Sequence, residues 1–293
     1  MSRCIVFLIL ILSFSCAPRG FQPIPGFEEA TNRSLEKFFE RYQNYNGRKI
    51  AVFDGDGTVL GQVPHYLADE CMYEHAEIAS VPAEKQKILE KLAPQSNVSI
   101  PYVIGRVEYF SGQSPQSLRE TGQRCYDLYY KNKMYPPMKA LVSELDKHGF
   151  EVWIVTASPE ALYQGFLSRE LKIPVTRIVG VKSEVHHGLT TTAIVEPVPQ
   201  DQGKQHAIET FVQDRPQLVG GNSRGDREMI EYSSDVKMII NPDQHLAEGD
   251  TESMADYARR EGWLVDRIRD VREEGFPGIS ASKWKVKENR PRE

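Results

Sequence analysis

The sequence predicts an α/β fold built on a parallel sheet. Two observations lead there. Short apolar runs recur near residues 49–53, 151–155 and 218–221, and each stops abruptly at polar residues. Between them lie stretches with apolar residues at helical spacing. Strands that alternate with helices form parallel sheets covered on both faces, and ligands bind at the carboxyl ends of such strands. The polar residues at those ends are therefore the candidate site.

Residues 1–16 stand apart. Arg3 precedes an apolar run from Cys4 to Phe14, and Ser15 precedes Cys16. This is a charged start, an apolar core and a processing site, with a run too short to span a bilayer. Leu12-Ser13-Phe14-Ser15-Cys16 resembles a bacterial lipoprotein signal. The resemblance implies a signal peptide over 1–15, lipidation of Cys16, and export to a membrane-anchored position facing the periplasm or cell surface. Residues 16–26, with three prolines and two glycines, read as a tether.

The main domain is expected over 27–275. Phe27 to Tyr45 carries Leu35, Phe38, Phe39 and Tyr42 at helical spacing. Lys49 to Phe53 is the first strand, ending in Asp54-Gly55-Asp56-Gly57-Thr58-Val59. From about 61 to 133 no strand is legible. Tyr66–Ala79, Ala83–Leu92 and Pro115–Tyr130 read as helices, so this stretch is a mostly helical insert that Pro136-Pro137 closes. A helix over Met138–His148 leads to the strand 151–155 and then Thr156-Ala157-Ser158-Pro159. A helix follows over Glu160–Leu171. Val175–Val185 and Leu189–Val195, joined at His187-Gly188, read as a hairpin. Gly203-Lys204 opens a helix. Strands are expected at 218–221, before Asn222-Ser223-Arg224-Gly225-Asp226, and at 236–242. A short helix over Met254–Arg260 and a last strand near 262–265 follow, then a loose tail over 276–293.

Net charge is −5, which gives no electrostatic basis for nucleic-acid binding. Beyond the leader and Cys16 only Cys71 and Cys125 remain. In an oxidising compartment they form a disulfide, and otherwise they are two buried thiols. His186-His187 beside Gly188 reads as a turn rather than a metal pair.

Asp54 and Asp56 lie so close that they repel unless a cation or unequal proton affinities separate them. Their order along the chain, followed by Thr156, Lys204, Asn222 and Asp226, resembles the haloacid dehalogenase (HAD) superfamily of hydrolases. Asp54-Gly55-Asp56-Gly57-Thr58-Val59 matches that family's first motif at every defined position. Thr156, Lys204 and Gly221-Asn222-Ser223-Arg224-Gly225-Asp226 match the second, third and fourth. An insert between the first and second motifs resembles the helical cap of the phosphoserine-phosphatase-like branch.

The resemblance implies a Rossmann-like core under a mobile lid, and a Mg²⁺-dependent phosphatase acting on a small phosphorylated metabolite. Asp54 would be nucleophile and Asp56 acid and base. Thr156 and Lys204 would hold the phosphoryl group. Asp54, Asp56 through its carbonyl, Asn222 and Asp226 would hold Mg²⁺. Asn222 departs from the family, which usually has an acid there. A phosphotransferase, or a binding lipoprotein of the same fold with weak activity, are the alternatives. Lys182 is the rival to Lys204, and Glu70, Arg106, Glu108 and Arg119 are cap candidates for substrate recognition, none of which stands out.

Overall fold

A computed structural model describes residues 20–79, 81–246, 251–273 and 280–292. The expected signal segment, Cys16 and residues 17–19 lie outside the described residues. Among those described, no helix is long and apolar enough to cross a membrane.

The sheet has seven strands: β1 (Ile50–Phe53), β2 (Glu151–Pro159), β3 (Ile178–His186), β4 (Leu189–Val195), β5 (Leu218–Gly221), β6 (Val236–Ile240) and β7 (Leu264–Asp266). Their order is β4-β3-β2-β1-β5-β6-β7. All neighbours are parallel except the β3–β4 hairpin. β1 is central and wholly buried. Its side chains alternate between faces, as strand geometry requires. Ile50 and Val52 join one apolar cluster with Val155 and Val219, while Ala51 and Phe53 join the other with Ile154 and Leu218.

Helices cover both faces. One carries α1 (Glu29–Tyr42), α6 (Pro136–Lys147) and α7 (Glu160–Leu171), with Leu35, Phe38, Leu141 and Leu167 in its core. The other carries α8 (Gln202–Ala207), α9 (Arg227–Glu231) and α10 (Met254–Arg260), with Ala207, Met229 and Ala258 in its core. Between β1 and β2 lie α2 (Leu67–Ile78), α3 (Ala83–Leu92), α4 (Ile100–Phe110) and α5 (Pro115–Cys125). A π-helical turn over Tyr126–Tyr130 ends this insert.

Three sequence expectations change. The sequence reading has no α4, although it is a full helix. It buries Tyr102, Val103, Arg106, Val107, Tyr109 and Phe110, so it has no continuous polar face to betray a period. Pro136-Pro137 does not close the insert from outside but forms the first turn of α6, where a missing N–H does no harm.

The tail is also not loose where it is described. Buried Glu70 accepts hydrogen bonds from the backbone N–H of Ser280 (2.7 Å) and Ala281 (3.3 Å), at the start of α11 (Ser280–Lys283). Trp284 packs on Tyr73 with ring centroids 5.5 Å apart. Further on, Asn289 N donates to Pro64 O at 2.7 Å, and Asp270 and Arg292 exchange backbone bonds of 2.8 and 2.7 Å. A buried carboxylate needs donors, and here the tail's amides supply them.

Cys71 and Cys125 are disulfide-bonded, with Cα atoms 5.8 Å apart, and so join α2 to α5. Helix α5 then lies against α7 at close range. A Cβ on Gly122 would overlap the Leu162 carbonyl, and one on Gly165 would sit 2.9 Å from the Arg119 carbonyl. Backbone cannot yield there as a side chain can. Gly122→Ala should therefore destabilise the protein by about 1–3 kcal/mol, read as a lower urea midpoint. An unchanged midpoint would show that α5 and α7 are not packed this way.

Candidate active site

The site starts where β1 stops. Asp54 N donates to Gly220 O at 2.9 Å, so Asp54 still belongs to the ladder with β5. The chain then turns sharply, with the Gly55 carbonyl accepting from Val59 N (2.9 Å) and Leu60 N (3.1 Å). Gly57 has φ +80°, and a Cβ there would land on the Asn222 amide. Glycine is thus required both by backbone and by space. The turn aims the two carboxylates over the ends of β2 and β5.

Asp54 Oδ1 accepts from Lys204 Nζ at 2.5 Å, and the same ammonium reaches Asp226 Oδ1 at 2.5 Å. Thr58 Oγ1 donates to Asp54 Oδ2 at 3.3 Å. Asp226 Oδ2 accepts from Asn222 N, Ser223 N and Ser223 Oγ, each at 2.9 Å. All of Asp54, Lys204, Asn222 and Asp226 are buried. Burial pushes the Asp54 carboxyl up to about 7; the Lys204 ammonium opposes that push without cancelling it. Burial also works against ionised Asp226, but Lys204 and the two N–H groups outweigh it and hold that carboxyl below its ordinary range. Burial disfavours the Lys204 cation too, and the two carboxylates more than compensate, so its ammonium is held charged.

Asp56 has different company. Ser158 Oγ donates to Oδ2 at 2.8 Å and Tyr163 OH to Oδ1 at 2.9 Å. Burial raises this carboxyl to about 6, against the pull of those hydroxyls and of Arg106. The neighbouring acids are thus set apart by environment: one faces an ammonium, the other two neutral hydroxyls.

Asp54, Asp56, Thr156, Lys204 and Asn222 line one cavity of about 50 Å³. Asp226 lies behind it, against Lys204 and Asn222. The six residues read from the sequence are therefore neighbours in space. Lys182 is elsewhere, 3.3 Å from Glu160. His186 is exposed beside Glu184, and His187 occupies a left-handed turn position with φ 51°. Glu70 holds the tail, Arg119 bonds Gln164 at 3.0 Å, and Glu108 does not line the cavity.

Ser158, Tyr163, Gln62, Gln200 and Asp69 join the sequence candidates at the site, with Asp69 paired to the cap residue Arg106. Arg106 is fully enclosed in α4, donates to Asp69 at 2.7 and 3.1 Å, and lines the cavity roof with Tyr66. The one signal for Arg106 is an arginine in the middle of an apolar run. Ser158 lies two residues after Thr156, the spacing that returns a side chain to the same side of a strand.

Among the described residues no group of three or more His, Cys, Asp or Glu side chains is placed to hold a metal ion. The donor set here is of another kind. One end of the Asn222 amide lies 3.3 Å from Asp56 O and 3.1 Å from Asp226 Oδ2. With its nitrogen turned there, the amide donates to both. With its oxygen turned there, it faces the Asp56 carbonyl and the Asp226 carboxylate with no donor between, an arrangement that a bound cation would relieve. With the Asp54 carboxylate beside them, this suits a hard cation such as Mg²⁺. Both Asp226 oxygens are already engaged, so Asp226 acts as a brace for Lys204 and the 222–223 backbone.

The family model for haloacid dehalogenase-like hydrolases matches residues 51–231, from the first of these acids' strand to beyond Asp226. The chain belongs to the haloacid dehalogenase-like hydrolase family. Relatives include one named as a hydrolase in Mycobacterium leprae, 24% identical over 182 residues, covering 59% of this chain and 56% of the relative. Another is the phosphoserine phosphatase SerB1 of Mycobacterium tuberculosis, also 24% identical, covering 59% and 54%. The chain spans about half the length of these curated relatives. A protein of unknown function from Anaerococcus prevotii shares the fold with a TM-score of 0.62 and 14% identity, covering 83% of this chain and 93% of that one. One from Bordetella pertussis does so with 0.58 and 16%, covering 75% and 99%.

The raised Asp56 carboxyl makes this hydrolase's stability pH-dependent. The folded state holds the Asp56 proton up to about pH 6, while the unfolded chain releases it near the ordinary value of 3.8. Stability from this group is therefore full below that lower value and is lost as pH rises toward 6. Asp56→Asn, measured with chelator present, should be more stable than wild type at pH 7–8 by about 1–3 kcal/mol. The gap should close between pH 6 and pH 4 in urea titrations. A gap that is constant with pH would refute the assignment.

Proposed function

We propose that the protein is a Mg²⁺-dependent phosphomonoesterase that hydrolyses a small phosphorylated metabolite through an aspartyl-phosphate. The observation that carries the reading is the unequal setting of Asp54 and Asp56. Two carboxylates in one cavity, with environments that differ this much, suit one nucleophile and one proton carrier. The 24% likeness to a phosphoserine phosphatase supports a phosphate ester as substrate class.

In this mechanism Asp54 attacks phosphorus with the oxygen that Lys204 leaves free. Lys204 lowers the proton affinity of Asp54 against the push of burial and offsets charge on the phosphoryl oxygens. Thr156 Oγ1 lies on the cavity wall to donate to a phosphoryl oxygen. Asp56 carries a proton at neutral pH more readily than an ordinary aspartate, gives it to the leaving alkoxide, and then takes one from the attacking water. Ser158 and Tyr163 hold its ring of partners in place for both steps. Asp54, the Asp56 carbonyl and the Asn222 amide oxygen would hold Mg²⁺, which when bound supplies positive charge to the phosphoryl group. The insert closes over the site and limits water, with Arg106 and Tyr66 above Asp56.

We further propose that the protein is exported and lipid-anchored at Cys16. The Cys71–Cys125 disulfide is consistent with an oxidising compartment.

Hydrolysis of a generic aryl phosphate should require Mg²⁺ and stop with chelator. Asp54→Asn should lose roughly a thousandfold or more in kcat with unchanged circular dichroism. Full rate in that variant, or none in wild type across a broad phosphate-ester panel, would sink the proposal. Asn222→Asp adds a charge to the cation's ligands, so half-maximal activity should need less Mg²⁺. An unchanged requirement would remove Asn222 from the ligand set. Fatty-acid labelling should tag the wild type and not Cys16→Ser, and equal labelling would rule out that anchor.

A further inference from the structure

A second crevice opens between the helical insert and the sheet edge. Its volume is about 240 Å³, against about 50 Å³ over Asp54. Val107 and Phe110 of α4, Leu118 of α5, Leu162 of α7 and Val181 of β3 give it apolar walls. Val103 and Val107 stand one helical turn apart on α4. The first lines the acidic cavity and the second the crevice. With Val181 and Val198 they form a small apolar cluster that divides the two spaces.

The frame of this crevice is fixed. Gly112 N donates to Thr190 O and Thr190 N to Gln113 O, both at 2.8 Å, which stitches the β3–β4 hairpin to the α4–α5 loop. On the other side α5 and α7 meet through Gly122 and Gly165. A rigid apolar pocket with a few polar groups is the usual form of a small-molecule site.

The polar groups indicate the ligand's charge. Lys182 pairs with Glu160 at 3.3 Å, and with Arg119 also acting on that carboxylate the three leave a net positive charge. Arg119 donates its Nε to Gln164 Oε1 at 3.0 Å, and among the described residues no carboxylate lies within ion-pair distance of it. A guanidinium with its outer nitrogens unpaired, at the edge of an apolar space, favours a carboxylate or similar anion. We propose that this crevice is a second binding site, for a small amphipathic carboxylate whose apolar chain fills it and whose head pairs with Arg119.

The crevice touches the same helix that holds Asp56. Leu162 and Gln164 line it, while Tyr163 between them donates to Asp56. Pro159 and Glu160, which also line it, follow Ser158, the other donor. A ligand there bears on the support of the acid from behind.

Octanoate is a suitable probe, with 1-octanol as its uncharged counterpart. Calorimetry on the protein should show saturable one-site binding of octanoate. Arg119→Met, which keeps the apolar stem, should weaken octanoate by about tenfold or more and leave octanol unchanged. Amide hydrogen exchange should slow in α5, α7 and the β3–β4 hairpin when octanoate binds. No saturation up to roughly 10 mM, equal affinity in Arg119→Met, or protection confined to other elements would each overturn the site. None of these readouts needs turnover, so failure here is distinct from failure of the phosphatase reading.

Discussion

One buried cation organises the site. The Lys204 ammonium sits between Asp54 and Asp226, at 2.5 Å from each. It comes from α8, while the acids come from the ends of β1 and from the turn after β5. Three separate segments therefore meet at one charge. Removing one partner of a buried ion pair leaves an uncompensated charge and typically costs about 3–5 kcal/mol. The arrangement is self-consistent only when all three are present. Asp226 is in turn fixed by the N–H groups of Asn222 and Ser223, which places the Asn222 amide beside the Asp56 carbonyl. The cation thus sets the strand ends, and the strand ends set the position of the remaining polar groups.

The helical insert is held to this core more firmly than a free lid. Asp270 accepts from Gln62 N at 2.7 Å and Val63 N at 3.2 Å, and pairs with buried Lys133 at 2.5 Å. Both connections to the insert, near 61–63 and 133, are thereby tied together. The tail adds Glu70 and Pro64 to the same strap, and the β3–β4 hairpin grips the α4–α5 loop. Gln62 reaches from this strap to the Asn222 amide at 3.4 Å. Stability and site geometry are coupled through these few bonds.

Much of this was legible in the sequence. The strands announce themselves because they are apolar runs with sharp polar ends, and β1 is the clearest case. Asp54, Asp56, Thr156, Lys204, Asn222 and Asp226 were legible because they follow strand ends or open a helix. The resemblance of their order along the chain to the haloacid dehalogenase motifs then groups them. What escaped has a different physical origin. Helix α4 is buried on most sides and almost wholly apolar, even at exposed Ile100, so no polar face marks it. Arg106 and Asp69 find each other across 37 residues, a pairing no local pattern records. Tyr163 looks like an ordinary core aromatic until its hydroxyl meets Asp56. The tail is rich in lysine and proline and reads as solvated, yet its amides satisfy a carboxylate some 210 residues earlier.

The central claim is that the Lys204-held carboxylate of Asp54 is the group that meets phosphorus. Acid quenching during turnover of an aryl phosphate, followed by mass spectrometry of peptides, tests it most directly. The account predicts a phosphoryl adduct on the peptide that contains Asp54, located on that residue. Turnover with the adduct on another residue, or with no adduct under conditions that preserve acyl phosphates, would contradict it.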